Sequence, residues 1–211
     1  MTPPGVPEGF TLFYTTLDFD GRIDDRLREV LRPARLSSCH QVHGARVCRA
    51  PVDESECDAL WSDAPDSALA IKIADCLPVS IIDPAHGVIA NIHSGWRGTL
   101  AGITAATLDA APLDPSSSLA FLGPAIRVCC FEVGEEVAGQ FDARFVDRTR
   151  GPKPHVDIPA FTADVLLRRG FHAGAIVDLG LCTRCSSAPH PRFHSYRRDK
   201  RSGRNLAIVA R

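Results

Sequence analysis

ADCLPVSIIDPAHGVIANIHSGWRG, residues 74–98, holds two apolar runs of strand length, a turn between them and a change of period at its end. VSIID, residues 79–83, and GVIANIH, residues 87–93, read as two strands joined by the Pro84-to-Gly87 turn. In the second, Val88, Ala90 and Ile92 face one way and Ile89, Asn91 and His93 the other. From residue 94 to 111 the period becomes helical, with Leu100, Ile103, Thr104, Thr107 and Leu108 on one stripe. A strand that ends at His93 and a helix that begins a few residues later bring side chains and free backbone N–H groups to one point. The positive end of the helix would favour an anion there, and Arg97, between Gly95 and Gly98, adds a forked donor suited to phosphate or carboxylate. Upstream, ALAIKIADC, residues 68–76, alternates as a strand that carries Cys76 at its end, and Pro78 predicts a break or an edge just beyond it. A thiol and an imidazole thus stand at strand ends, placed to bind a metal or to act as nucleophile and base.

Outward from this stretch, FTLFYTT, residues 10–16, reads as a strand, and residues 24–31 as a short amphipathic helix stopped before Pro33. Residues 36–51 read as two short strands meeting at a bend at His43-Gly44. Acidic residues 53–63 have no clear period and read as a loop with a single helical turn. Residues 118–123 form a buried strand, 132–145 a helix, 147–155 a Pro-rich loop, and 157–171 a helix capped by Asp157 and stopped by Gly170. Residues 174–180 and 205–211 supply the last two strands. Strands outnumber helices and interleave with them irregularly, so the fold class is a mixed α/β or α+β sheet rather than a βαβ barrel. No internal repeat or linker divides the chain, and a single domain over 1–211 is expected.

Composition narrows the function classes. Twenty-four Lys and Arg against 25 Asp and Glu leave a net charge of −1, so no general attraction to nucleic acid or membrane is expected. No apolar run approaches the roughly 18 residues of a membrane span. Eight cysteines without a signal-peptide pattern point to a reducing cytoplasm, where most thiols are small buried hydrophobes.

His43, Cys76 and His93 supply two imidazoles and a thiolate, a set suited to zinc or copper with a fourth position open. Their separations are too long for a short-spacing metal motif, so on residue types alone burial of the thiol is the simpler reading. Cys182, Cys185, His190 and His194 are spaced C-x2-C-x4-H-x3-H and compete as a zinc knuckle beside a basic and aromatic run, a pattern of single-strand binders. SYRRDKRSGR, residues 195–204, reads either as a solvated hairpin or as a clamp for an anion or ribose phosphate. The vicinal Cys129-Cys130 pair receives no role.

QVHGARV, CDALWSD, ADCLPVSIIDP, HSGWRGTLAGI, GPAIRVCCFEVGEEV, the Cys182-Thr183 pair and SYRRDKRSGR together resemble, in the same order, the laccase-domain or polyphenol-oxidase-like proteins, a family associated with purine nucleoside phosphorylase activity. The resemblance spans residues 38–209. It implies two mixed sheets packed between helical layers, an α-β-β-α arrangement, and a zinc ion, or copper in the older description, on His43, Cys76 and His93. It implies purine nucleosides and inorganic phosphate as partners, with phosphorolysis of adenosine, inosine and methylthioadenosine, and with adenosine deamination as a second activity. Within that scheme Arg97 is expected to anchor phosphate, Gln41 to contact substrate, and Asp75 and Asn91 to orient ligands; a monomer or weak homodimer is expected. Alternatives on the same residues are a copper polyphenol oxidase and a metal-free Cys-His hydrolase; the knuckle offers a nucleic-acid module. The chain departs from the family where FYTTLDFDG replaces an Arg-Gly-Gly turn and where Arg127 replaces a glycine.

Overall fold

The computed structural model describes residues 1–52 and 55–211, apart from the side chain of Arg26. In chain order the elements are β1 (Thr11–Tyr14), α1 (Asp25–Val30), β2 (Arg35–Ser38), β3 (Val47–Arg49), β4 (Ala59–Ser62), β5 (Ser67–Ile73), β6 (Leu77–Asp83), β7 (Val88–Ser94), α2 (Trp96–Leu100), α3 (Ile103–Ala110), β8 (Leu119–Leu122), α4 (Glu135–Ala138), β9 (Val146–Asp147), β10 (His155–Val156), α5 (Ile158–Arg168), β11 (Ile176–Asp178) and β12 (Asn205–Ala210). One sheet has the order β1-β12-β5-β2, a larger one β11-β8-β6-β7-β4-β3, and β9 pairs with β10 alone. Both large sheets mix parallel and antiparallel neighbours.

Alternation along the strands sorts side chains into three apolar layers. Leu69, Ile82, Ile89, Phe121, Ala207 and Val209 meet between the sheets. Val79, Ile81, Ala90 and Ile92 leave the other face of the larger sheet to pack on Ile103, Leu108 and Leu166 from α3 and α5. Ala70, Leu206 and Ile208 do the same for the smaller sheet against Leu27 of α1. The layering is α-β-β-α, and it leaves β6 and β7 buried on both faces.

Five local expectations change. Residues 59–62 form β4, parallel to β3 and antiparallel to β7, where a loop with a helical turn was expected. Residues 53 and 54 of that segment lie outside the described residues. The strand expected to reach Cys76 ends at Ile73, and the chain turns through Asp75 at a positive φ of 89°. Pro78 sits inside β6, a central strand; its carbonyl accepts from Gly123 N at 3.0 Å, so its missing N–H belongs to the side where β8 has already ended. The single helix expected over 94–111 is α2 and α3, divided at Gly102, whose φ of 82° no helix interior accommodates. The helix expected over 132–145 shrinks to the four residues of α4 and a separate 3-10 turn at Ala143–Phe145.

Asp83, at the end of β6, shows how a buried charge fastens this scaffold. Its side chain is fully buried and accepts from the N–H groups of Ala85, His86 and Asp114, from Ser117 Oγ and from His86 Nδ1. Burial pushes the carboxyl upward, but the hydrogen bonds from Asp114 and His86 outweigh it and hold the group below the usual range. A carboxyl depressed in the folded state contributes stability above its unfolded value of roughly 4, and loses it as pH falls through the folded value. Asp83→Asn is therefore expected to cost about 2 kcal/mol at neutral pH. Thermal melts of the two proteins should converge as pH drops below about 4; a gap that stays constant with pH would refute the assignment.

Candidate metal centre and pocket

His43, Cys76 and His93 come from three separate segments and place their ligand atoms within 4.8 Å of one another. His93 is next to last in β7 and shares the inter-sheet face with Ile89 and Asn91, as the alternation requires. Cys76 is delivered by the turn between β5 and β6. His43 lies on the 41–44 bend in the left-handed region, with a φ of 63°. The two imidazoles meet edge to face, 4.8 Å between centroids.

Asp58, the residue before β4, assembles this triad. Its fully buried carboxylate accepts from His93 Nδ1 at 2.8 Å, His43 N at 2.9 Å, Gly44 N at 2.7 Å and Val42 N at 3.3 Å. One carboxylate thus turns Nε2 of His93 toward the cluster and holds the unusual bend that presents His43. Burial raises the Asp58 carboxyl, yet the bonds from His93 and from the Gly44 and His43 backbone carry it below its usual range. For Cys76, burial again pushes upward, and hydrogen bonds from His43 and His93 overcome it to bring the thiol to about 6. His93 is pushed down by burial and raised more strongly by Asp58 and Cys76, to about 9. At neutral pH the protein alone therefore holds a thiolate beside an imidazolium, the basic electron pair a soft or borderline cation binds.

Gly95 and Gly98 are explained by the same packing. A Cβ on Gly95 would lie 3.0 Å from Cys76 Sγ and 3.1 Å from His43 Cδ2; one on Gly98 would meet the Gly44 carbonyl at 2.8 Å. The glycines leave the space in which the three ligands converge.

The triad lines a cavity of about 520 Å³, within the roughly 300–1,000 Å³ of small-molecule sites. Trp96, Phe131 and Tyr196 supply aromatic surface, and Lys72, Arg197 and Arg204 supply positive charge. The basic run at 195–204 thus contributes Tyr196, Arg197 and Arg204 to the cavity lining. Asp75 ties the rim together: Oδ1 accepts from Thr183 Oγ1 at 2.6 Å, Oδ2 from Arg197 N at 2.7 Å, and its carbonyl from Ile126 N at 2.8 Å.

Two sequence-derived roles need correction, and the third candidate, Gln41, reaches the cavity. Arg97 is exposed on α2, its guanidinium 4.4 Å from the Trp96 ring centre, and it does not line the cavity; α2 has only five residues, so its dipole adds little. Asn91 is buried between the sheets, donating to the Leu69 and Ala207 carbonyls and accepting from Ser80 Oγ, with nothing left for substrate. Gln41 lines the cavity, but both ends of its amide are engaged by the Lys72 backbone at 2.7 and 2.8 Å. The knuckle does not assemble either: His194 bonds Ser202 Oγ and the Phe19 carbonyl, 3.1 and 3.0 Å away. Asp58 escaped notice in the sequence, although a carboxylate set between Cys57 and the apolar Ala59-Leu60 pair must find partners if buried.

The family model described as multi-copper polyphenol oxidoreductase laccase matches residues 22–211. "Purine nucleoside phosphorylase PA4543" of Pseudomonas aeruginosa is 36% identical, covering 93% of this chain and 86% of its own. "Adenosine deaminase RL5", from an unknown prokaryotic organism, is 32% identical over 88% of this chain and 76% of its own. Among solved structures, Neisseria meningitidis protein NMB0706 superposes with a TM-score of 0.85 at 26% identity, covering 99% of this chain and 97% of its own.

Proposed function

Because the chain belongs to the multi-copper polyphenol oxidoreductase laccase family, whose relatives include enzymes named for nucleoside chemistry, we propose that it is a zinc-dependent purine nucleoside phosphorylase. Its substrates are adenosine, inosine and methylthioadenosine, which phosphate converts to the free base and the (methylthio)ribose 1-phosphate. Adenosine deamination is the second activity of the same pocket. The observation that carries this reading is the meeting of a His-Cys-His cluster, aromatic walls and positive charge in one cavity.

The donor set fits zinc: one thiolate, two imidazoles, an oriented Nδ1–H and a glycine cradle that keeps the convergence point clear. A zinc ion bound by His43, Cys76 and His93 would supply Lewis acidity toward a substrate or water oxygen. The rest follows from the chain's own groups. Trp96, Phe131 and Tyr196 offer faces on which a purine can stack. Lys72 and Arg204, neither in an ion pair among the described residues, and Arg197 face the cavity as partners for phosphate. Held there, a phosphate oxygen is positioned to attack C1′ as the bond to the purine nitrogen breaks, the base leaving with the bond's electrons. The clustered cations offset the anion brought to the ribose. All eight cysteines are free, which suits a reducing cytoplasm, and among the described residues no helix is long and apolar enough to cross a membrane.

Incubation of metal-analysed protein with each nucleoside, with and without phosphate, tests the reading. Base release that requires phosphate and yields the sugar 1-phosphate is expected. Oxygen uptake with a phenol and no phosphate-dependent base release would replace it with the oxidase. The thiolate–imidazolium pair of Cys76 and His93 supports one second reading, a metal-free Cys-His hydrolase. Base or acyl release without phosphate, abolished by iodoacetamide even in zinc-loaded protein, would establish that one.

A further inference from the structure

We propose that Cys129, Cys130, Cys182 and Cys185 form a second metal centre, a structural four-thiolate site that takes zinc. The four Sγ atoms lie within 4.8 Å of one another, although the two pairs are separated by more than fifty residues. Cys129 Sγ and Cys185 Sγ are 3.7 Å apart. A tetrahedral site with Zn–S bonds of about 2.3 Å has sulfur–sulfur edges of about 3.8 Å, whereas a disulfide brings two sulfurs to about 2.05 Å. The arrangement matches the edge of a tetrahedron and not a bond.

Burial fits the same geometry. Cys130 and Cys182 are buried while Cys129 and Cys185 are exposed, so two ligands form an inner wall and two close the site from outside. An ion can enter from solvent. The backbone N–H groups of Arg127, Arg184 and Cys185 lie near Cys182, and the Arg184 side chain lies near Cys130. N–H donors on a ligating sulfur disperse thiolate charge, and they orient the ligand before the metal arrives. Cys182 and Cys185 have the short C-x2-C spacing of structural zinc sites, and the tight turns at 127–131 and 182–186 present the two pairs to each other. Binding would release the four thiol protons to solvent and leave a centre of net charge −2, which Arg184 partly offsets.

The site would staple two rim segments of the pocket. Phe131 follows Cys130, and Thr183, which bonds Asp75, follows Cys182; the segments also meet at the Ala125–Cys182 bridge, in the Thr183 N to Ala125 O bond and in the Arg127–Asp178 ion pair. This centre is separate from the His43–Cys76–His93 cluster in every ligand, so the two can be tested apart.

Protein purified under reducing conditions is to be analysed for metal as wild type, Cys185→Ser and Cys76→Ala. Two zinc ions per chain are expected in the wild type and one in each variant. X-ray absorption of Cys76→Ala should report four sulfur ligands at about 2.3 Å, a readout that stands even if Cys185→Ser fails to fold. A wild type with one zinc that Cys185→Ser retains would overturn the proposal. So would a native mass lower by about 2 Da for a disulfide within the four, or an absorption spectrum of Cys76→Ala without an all-sulfur shell.

Discussion

Cys76→Ala protein should fold, lose the metal of the His43–Cys76–His93 cluster and show phosphorolysis reduced by about 1,000-fold. Cys76 Sγ is the donor that faces both imidazoles, and the protein has drawn it to about 6 despite burial, so at neutral pH it is already in the ligating form. Alanine leaves two imidazoles and no anionic donor, too few for the three protein ligands of a catalytic zinc site. If the Lewis acid contributes about 4 kcal/mol to the transition state, its loss corresponds to roughly three powers of ten. Folding should survive because Cys76 lies on the pocket wall, on a turn whose backbone is held by Asp75 rather than by the thiol. The check is metal content and turnover side by side, with the melting temperature of the variant compared with chelated wild type to remove the contribution of metal binding. Full metal content with full turnover in Cys76→Ala would end the present reading of the site.

The stretch at 74–98 shows what the sequence makes legible. Its strand faces follow from period two, and the structure places Ala90 and Ile92 toward the helices and Ile89 between the sheets as that period demands. The helix over 157–171 was equally readable, since Asp157 caps Ala160 N and Gly170 takes up a φ of 97°. What stayed hidden depends on the third dimension. β4 is four residues long and mostly buried, so it has no polar face to alternate with its apolar one. The convergence of His43, Cys76 and His93 requires three chain segments to cross, and no spacing encodes that; residue types offered the set but left burial of the thiol simpler, and the family resemblance tipped the reading to a metal. Arg97 was misplaced for a related reason. Sequence proximity to His93 suggested a shared site, but a helix rotates successive side chains by about 100°, and Trp96 rather than Arg97 turns toward the cavity. The four-cysteine cluster was invisible for the same cause, its halves lying in distant turns that β-sheet topology brings together.

The same dependence on distant partners makes Asp58 the most sensitive position outside the ligands. Asp58→Asn keeps shape and volume but cannot keep all four hydrogen bonds. Each carboxylate oxygen accepts from two donors: Oδ1 from His93 Nδ1 and His43 N, Oδ2 from Gly44 N and Val42 N. An amide has one acceptor oxygen, so its NH2 group must face a pair of N–H donors that are largely removed from water. If the amide turns its oxygen to His93, the 42–44 bend keeps the His43 N bond but loses those from Val42 N and Gly44 N, which loosens the strained φ of 63° at His43; if it turns the other way, the His93 ring loses its orientation. Either outcome spoils one ligand without touching it. Loss of such an outer partner lowers metal affinity by about 10- to 100-fold. The buried unpaired groups should also cost about 3 kcal/mol of stability. In metal-free protein His93, raised to about 9 partly by this carboxylate, should lose its proton at a lower pH. Competition with a chelator measures the affinity, and NMR titration of the His93 ring measures the proton. A variant that merely loosened the fold would not move the ring's titration in that direction. Unchanged zinc competition together with an unchanged His93 titration would show that Asp58 does not govern the cluster.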